Sequence, residues 1–153
     1  MKKTIQLFFV LLSFIFVAGI AATAWRITLV SDVFSAKKQI TIGNTAVFAD
    51  IADTPSKRTQ GLSGRKELSQ SGGMLFIFDY PTIPKFWMKD MLFPIDIIWI
   101  GENKHVVSVS ENLPPDSYPE VFSPQGPIKY VLEVSAGFAL KNNIKNGDEV
   151  TVR

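Results

Sequence analysis

A chain of 153 residues, 46% apolar and 12% aromatic, can bury the core of one domain and is too short for two. Lys2 and Lys3 lie in an apolar leader, which leaves fourteen basic and fourteen acidic residues, a formal net charge of zero. Such a domain lacks the basic surface that a phosphate backbone attracts, and the absence of Cys excludes disulfides, thiol chemistry and cysteine-bound zinc. We therefore expect no nucleic-acid partner.

The first 24 residues have the pattern of an export signal. Two lysines precede an apolar run over 5–20, and small residues at 22–24 offer a cleavage site. Residues 5–24 would also reach about 30 Å as a hydrophobic helix, long enough for an uncleaved membrane anchor. Both alternatives place the domain outside the cytoplasm, as a periplasmic or secreted protein. The anchored form would lie at the inner membrane. We expect a tether over 25–38 and a single domain over 39–153.

The first half of the domain alternates strand patterns with turn residues. Segments 40–42 and 46–51 are predicted strands around a Gly43-Asn44 hairpin. Thr54 and Pro55 are predicted to begin a short helix that ends at Gly61. Apolar residues over 74–78 predict a buried strand, and residues 86–88 are the next predicted strand.

The second half continues the strand pattern. Segments 95–100 and 105–109 flank a four-residue hairpin loop, and five prolines between 113 and 127 predict an irregular connection. A strand over 130–134, a helical turn capped by Ser135 and running to Leu140, and a strand over 149–152 complete the domain. Seven or so short strands predict a mainly β fold, a sandwich or barrel with one or two short helices.

Two carboxylates interrupt apolar strands. Asp96 lies within 93–98 and Glu133 within 131–134. A buried carboxylate must be paired or hydrogen-bonded, and Arg58 and Lys89 are the candidate partners. Alternation along a strand equally allows both carboxylates to point to solvent. If they converge, they form either a structural ion network or the acid–base pair of a hydrolase.

Other reaction chemistry has weak support in the sequence. His105 is the only histidine, and no serine or threonine stands in a recognisable nucleophile motif beside it. Asp90 and Asp96 are six residues apart, a spacing that matches no calcium loop. We therefore predict no catalytic residue outside the Asp96 and Glu133 alternative, no metal and no cofactor.

Aromatic residues next to glycines suggest a binding pocket. Phe76, Phe78, Phe86, Trp87, Met88 and Trp99 can wall an apolar pocket or simply form the core. Glycines at 61, 72 and 73 lie beside this group, where a missing side chain lets a ligand approach closely. The predicted binding residues are Arg58, Phe76, Trp87, Met88, Lys89, Asp96 and Glu133.

The same residues carry a family resemblance. In order and spacing, five segments of residues 39–153 resemble the domain of unknown function 192 family. They are Arg58-x-x-Gly61-Leu62-x-x-Arg65, Gly73-Met74-Leu75-Phe76, Phe86-Trp87-Met88-Lys89, Pro94-x-Asp96 and Tyr130-Val131-Leu132-Glu133. The resemblance implies a jelly-roll-like β-sandwich, often behind a signal peptide, with no established activity. This chain departs from the family pattern at Asp90, where Asn is usual, at Met91, where Thr is common, and at Ser63, where Met is usual. A role that needs a side-chain donor at position 90 is therefore in doubt.

The predicted function is a non-enzymatic extracytoplasmic module that binds a small molecule or an envelope component. One alternative is an acid–base hydrolase that uses Asp96 and Glu133. Another is a structural or assembly protein of the cell envelope, held at the membrane by residues 5–24 if these remain uncleaved.

Overall fold

The computed structural model describes residues 37–153. The predicted leader, its hydrophobic helix and the tether up to residue 36 lie outside these residues. Among the residues described, no helix has both the length and the apolar character to span a membrane.

The described chain is mainly β, as predicted, with two short α-helices. Its elements are β1 (Lys38–Ile42), β2 (Thr45–Ala52), α1 (Pro55–Gln60), β3 (Gly72–Thr82), β4 (Ile95–Ile100), β5 (Val106–Leu113), a 3-10 turn (Pro115–Ser117), β6 (Ile128–Ser135), α2 (Phe138–Lys141) and β7 (Val150–Val152). All seven strands belong to one sheet in the order β5-β4-β6-β3-β2-β1-β7.

The sheet is curled, and its two edges meet. Among the described strands, only β2 and β3 pair in parallel, and α1 lies in the connection between them. A bridge joins His105 to Glu149, and the N–H of Val106 donates to the Asp148 carbonyl at 2.9 Å, so β5 and β7 touch at one end. The result is a partly closed barrel. The predicted two-sheet jelly-roll arrangement is not seen, because the described strands pair into a single sheet.

Local sequence signals explain the N-terminal elements. Gly43 adopts a φ of 57° in the two-residue connection between β1 and β2, as the hairpin prediction requires. The Thr54 side chain accepts a hydrogen bond from the Lys57 N–H at 3.3 Å, and Pro55 occupies the first turn of α1. Gly61 ends the helix with a φ of 51°. These predictions are confirmed.

Two local predictions are wrong. Residues 86–88 do not form a strand, because only Phe86 pairs, through a single bridge to Phe122, before the chain turns at Asp90 with a φ of 58°. The helical turn after β6 is not capped by Ser135. It begins at Phe138, and a carboxylate from β4 satisfies its first N–H groups instead.

The sheet buries apolar side chains on both faces. The first core includes Leu75, Ile98 and Leu132 and lies on the face that α2 covers through Ala139. The second core includes Phe76, Trp99 and Val131 and is covered by the connections that follow α1 and β3. Every residue of β4 is buried because successive side chains enter alternate cores.

Candidate functional site

A cleft opens on the second-core face of the sheet. It has a volume of about 370 Å³ and lies between α1 with its following turn, β3 and the connection between β3 and β4. Its apolar lining includes Leu62, Phe76, Phe78, Phe86, Trp87 and Met91, and its charged lining consists of Arg58, Lys85 and Glu133. This size and mainly apolar lining are typical of small-molecule sites.

Aromatic packing fixes the wall of the cleft. The Phe86 ring meets Phe76 edge-on, with centroids 5.0 Å apart, and meets Trp99 edge-on at 5.4 Å. Phe76 and Trp99 are buried, whereas Trp87 remains 50% exposed. The wall is therefore rigid at its base and presents an accessible indole beside it.

Gly61 shapes the opposite side of the cleft. Its φ of 51° lies in the left-handed region that glycine adopts without strain. A Cβ at this position would lie 3.4 Å from the Phe76 ring, at van der Waals contact, so Gly61 packs directly beside that ring. The glycine therefore ends α1 and lets its backbone lie close to the wall of the cleft.

Glu133 brings a buried carboxyl group to the cleft. Its side chain projects from β6 onto the second-core face, and the residue is 6% exposed. The Oε2 atom accepts no hydrogen bond from any residue within 37–153. Burial raises the pKa of Glu133 to about 8, and the charge of Arg65 opposes that rise. At neutral pH this side chain is therefore largely a neutral acid, whose O–H can donate a hydrogen bond.

The cation that acts on Glu133 is not one of the two predicted partners. Arg65, in the turn after α1, donates to the Asp50 carboxylate at 2.6 Å and lowers the pKa of Glu133 from a distance. Arg65 pairs with Asp50, and Glu133 forms no salt bridge within residues 37–153. Sequence reasoning missed Arg65 as a site residue, since only the fold brings β2, this turn and β6 together.

Arg58 lines the cleft but does not neutralise Glu133. Its Nη1 donates to the carbonyls of Asp53 and Ile77, both at 2.8 Å, and its guanidinium lies 5.3 Å from the Phe78 ring centroid. A smaller cavity of about 290 Å³ shares Arg58, Phe78 and Pro84 with the cleft. The guanidinium is thus held by backbone and aromatic contacts, and its positive charge is available to the cleft.

Asp96 has a structural role on the other face. It is fully buried; its Oδ1 accepts the N–H of Asn112 at 2.8 Å and of Gly137 at 3.1 Å, and its Oδ2 accepts the N–H of Ala139 at 2.9 Å. The predicted pairing of Asp96 with Arg58 or Lys89 is wrong, because backbone N–H groups satisfy the carboxylate. Asp96 fastens β4 to the end of β5 and to the start of α2.

The two carboxylates of the hydrolase alternative do not converge. Asp96 is the register partner of Val134, and Ile97 is the partner of Glu133. Since side chains alternate along each strand, Asp96 faces the first core and Glu133 faces the second. The sheet separates them, so a mechanism in which both act on one bond is excluded by this geometry.

The remaining predicted residues divide between the cleft and its support. Phe76 and Trp87 line the cleft, whereas Met88 is buried in the second core outside it. Lys89 is exposed, and its carbonyl accepts the Ser63 hydroxyl at 3.0 Å. Lys85 could not be predicted as a site residue, because its place in the lining depends on the path of the connection after β3.

The structure locates the three residues at which the chain departs from the family pattern. Ser63 and Met91 both line the cleft. Asp90 adopts a left-handed φ of 58°, and its carbonyl accepts the Gly64 N–H at 2.8 Å. Asn and Asp both tolerate this conformation, so the backbone explains position 90 without a side-chain donor.

No group of three His, Asp or Glu side chains is arranged to hold a metal ion among residues 37–153. Lining groups of the cleft can instead offer an acid O–H, two cations and aromatic faces. That set supports recognition of an organic molecule through contacts and hydrogen bonds.

Comparison with known proteins identifies the family. The model of the DUF192 family, described as Uncharacterized ACR, COG1430, matches residues 38–152. The chain is similar to a protein of unknown function from Novosphingobium aromaticivorans, with 31% identity, a TM-score of 0.69, and coverage of 74% of this chain and 83% of that one. It is also similar to a candidate transcription regulator from Sinorhizobium meliloti, with 28% identity, a TM-score of 0.72, and coverage of 76% and 94%. No curated protein matches this chain. With a match over the whole described domain, the chain belongs to the uncharacterised DUF192 family.

Proposed function

We propose that this domain is a small-molecule binding module whose ligand enters the aromatic cleft. The observation that carries the proposal is the Glu133 carboxyl group, buried at the cleft with an Oε2 that has no partner within residues 37–153. A buried polar group without a partner costs about 1–3 kcal/mol, more when it is charged. A ligand that accepts its hydrogen bond would remove that cost.

The surroundings of Glu133 support binding better than a purely structural role. Asp96, the other buried carboxylate, accepts three hydrogen bonds from protein and does not line this cleft. Glu133 differs in both respects. A carboxyl group that served only to hold the fold would be expected to have protein partners, as Asp96 does.

The Sinorhizobium meliloti relative is named as a candidate regulator of transcription, and such a role would suggest a nucleic-acid partner. Charge argues against a nucleic-acid partner for this chain. Basic and acidic residues balance outside the leader, and three basic side chains, Lys57, Arg65 and Lys129, are each paired with a carboxylate. We therefore propose a small molecule as the partner, and no nucleic acid.

Replacing Trp87 with Ala is expected to weaken ligand binding while leaving the domain folded. The half-exposed indole lines the cleft, so its loss removes contact area for a ligand at little cost to the core. In a thermal-shift screen of a small-molecule library, ligands that stabilise the wild-type chain should give a clearly smaller shift with Trp87→Ala.

Phe48→Ala is the matched control for that screen. Phe48 is an aromatic residue of similar exposure, 45%, on β2, and it does not line the cleft. Ligand-induced shifts should be unchanged in this variant. Equal shifts in wild-type protein and Trp87→Ala would place the binding site elsewhere and contradict the proposal.

We also propose that the module works outside the cytoplasm, as the apolar run behind Lys2 and Lys3 predicts. Cell fractionation followed by intact-protein mass spectrometry should find a chain that begins at Trp25, or the complete chain in the inner-membrane fraction. Recovery of the complete chain in the cytosol alone would contradict an extracytoplasmic site of action.

A further inference from the structure

We infer that the cleft binds a small organic acid, a carboxylate attached to an apolar body, an inference that rests on the proposed binding function. The charges around the cleft carry it. Among the lining residues, Arg58 and Lys85 are cationic and Glu133 is the only acidic one. With Glu133 protonated, the lining has two positive charges and no negative charge.

Glu133 suits a carboxylate better than a cation. A neutral acid can donate its O–H to a ligand oxygen, and hydrogen bonds of an O–H donor to a charged acceptor are short and strong. A ligand ammonium would gain charge attraction from Glu133 only if the carboxyl group lost its proton, and it would share the cleft with the like charges of Arg58 and Lys85. The apolar wall by itself would accept either ligand, so the charges decide between them.

Arg58 and Lys85 supply the complementary charge. The backbone carbonyls of Asp53 and Ile77 hold the Arg58 Nη1, and the guanidinium forms no salt bridge within residues 37–153, although its charge helps to lower the pKa of Asp53. Lys85 is exposed and forms no salt bridge within the described residues. A ligand carboxylate in this cleft therefore meets an acid O–H and two cations that form no salt bridge in the described part of the chain.

The rest of the ligand follows from the lining. Phe76, Phe86 and Trp87 offer ring faces and edges in a cleft of about 370 Å³. A phenyl ring or a short branched chain attached to the carboxylate would fill this space. Simple aryl acids are therefore suitable probes.

Proton binding at Glu133 makes the affinity depend on pH. The charged group that acts on this carboxyl group is Arg65, which is paired with Asp50, and the other charged residues of the cleft lining are Arg58 and Lys85. Loss of the Glu133 proton removes the donor and adds a charge of the same sign as the ligand. Binding of an acid should therefore weaken as pH rises through about 8.

Isothermal titration calorimetry of the full chain with three probes of equal shape tests the inference. Phenylacetate, phenylacetamide and 2-phenylethylamine differ mainly in charge. At about pH 6, we expect phenylacetate to bind roughly 10-fold more tightly than either other probe, and its affinity to fall several-fold by about pH 9. Lys85→Gln should reduce the preference for the acid, whereas Lys145→Gln, an exposed lysine outside the cleft lining, should leave it unchanged.

Glu133→Gln separates the two parts of the inference. An amide retains a donor but does not titrate, so this variant should keep binding phenylacetate and lose the decrease towards pH 9. Tighter binding of the amine or the amide than of the acid would overturn the acid inference and leave the proposed binding function standing. No binding of phenylacetate to the wild type at about 10 mM would also overturn the acid inference, whereas the thermal-shift screen with Trp87→Ala decides the proposed binding function.

Discussion

Asp96→Ala is expected to lower the free energy of unfolding by about 3 kcal/mol or more, one of the largest effects available in this domain. The substitution leaves three backbone N–H groups, those of Asn112, Gly137 and Ala139, without their acceptor. Asp96 is fully buried, so water does not readily replace the carboxylate. The attachment of α2 and of the β5 end to β4 should loosen together.

Urea denaturation of the wild type and two substitutions measures this effect. The free energy of unfolding of Asp96→Asn should lie between those of the wild type and Asp96→Ala. The amide keeps one acceptor oxygen, but its NH₂ group faces backbone N–H donors with which it cannot form a hydrogen bond. Asp148→Ala is the control, since Asp148 accepts one backbone N–H, from Lys145, in an exposed turn. Its loss should cost about 1 kcal/mol or less. A comparable cost for Asp96→Ala would show that its three hydrogen bonds contribute little.

The parts of the fold that sequence predicted best are those with local causes. The Gly43 hairpin, the Thr54 and Pro55 start of α1 and its Gly61 end all depend on contacts within four residues. The mainly β class follows from short apolar runs between turn residues. Such signals depend on a few consecutive residues, so they predict an element without knowledge of the strand that pairs with it.

The relation between Asp96 and Glu133 required information that the sequence does not contain. Whether they share a face depends on the register between β4 and β6, and a slip of one residue would reverse the answer. For the same reason, the apolar residues around Asp96 and Glu133 predicted that both carboxylates are buried, but not which groups would bind each one. One carboxylate found backbone N–H groups, whereas the other remained with an unpartnered oxygen beside a cleft.

The candidate site was predicted in part. Arg58, Phe76, Trp87 and Glu133 line the cleft, and they stood out in sequence as charges or large rings beside glycines. Lys85 and Arg65 did not stand out, because their positions depend on how the connections after β3 and α1 cross the sheet. The converse error occurred at Phe86. The residues around it have a strand-like pattern, but Phe86 forms only one bridge, to Phe122. Long connections leave few local signals of their path.

Glu133 should make the stability of the domain fall as pH rises from about 4.5 to about 8. Its pKa is 4.5 when solvated and about 8 when folded, because burial penalises the charged form. Between these values the folded state holds a proton that the unfolded state has released, so each pH unit costs about 1.4 kcal/mol. The contribution is largest below about pH 4.5 and is lost above about pH 8. The lowered pKa of Asp53, caused mainly by its hydrogen bond from Lys57, and the raised pKa of Lys129, caused mainly by its hydrogen bond to Glu102, act outside this window.

The difference in unfolding free energy between the wild type and Glu133→Gln isolates this effect, because every other titrating group is common to both proteins. Urea denaturation at several pH values from about 4.5 to 9 should show Glu133→Gln becoming more stable relative to the wild type as pH rises, then levelling off. Glu111→Gln, at an exposed glutamate of β5, should give a small and nearly constant difference. A constant difference for Glu133→Gln as well would mean that this carboxyl group is ionised in the folded protein. Recognition of an organic acid would then lose the neutral O–H donor of Glu133. In its place, a carboxylate beside the cleft would repel the ligand that Arg58 and Lys85 attract.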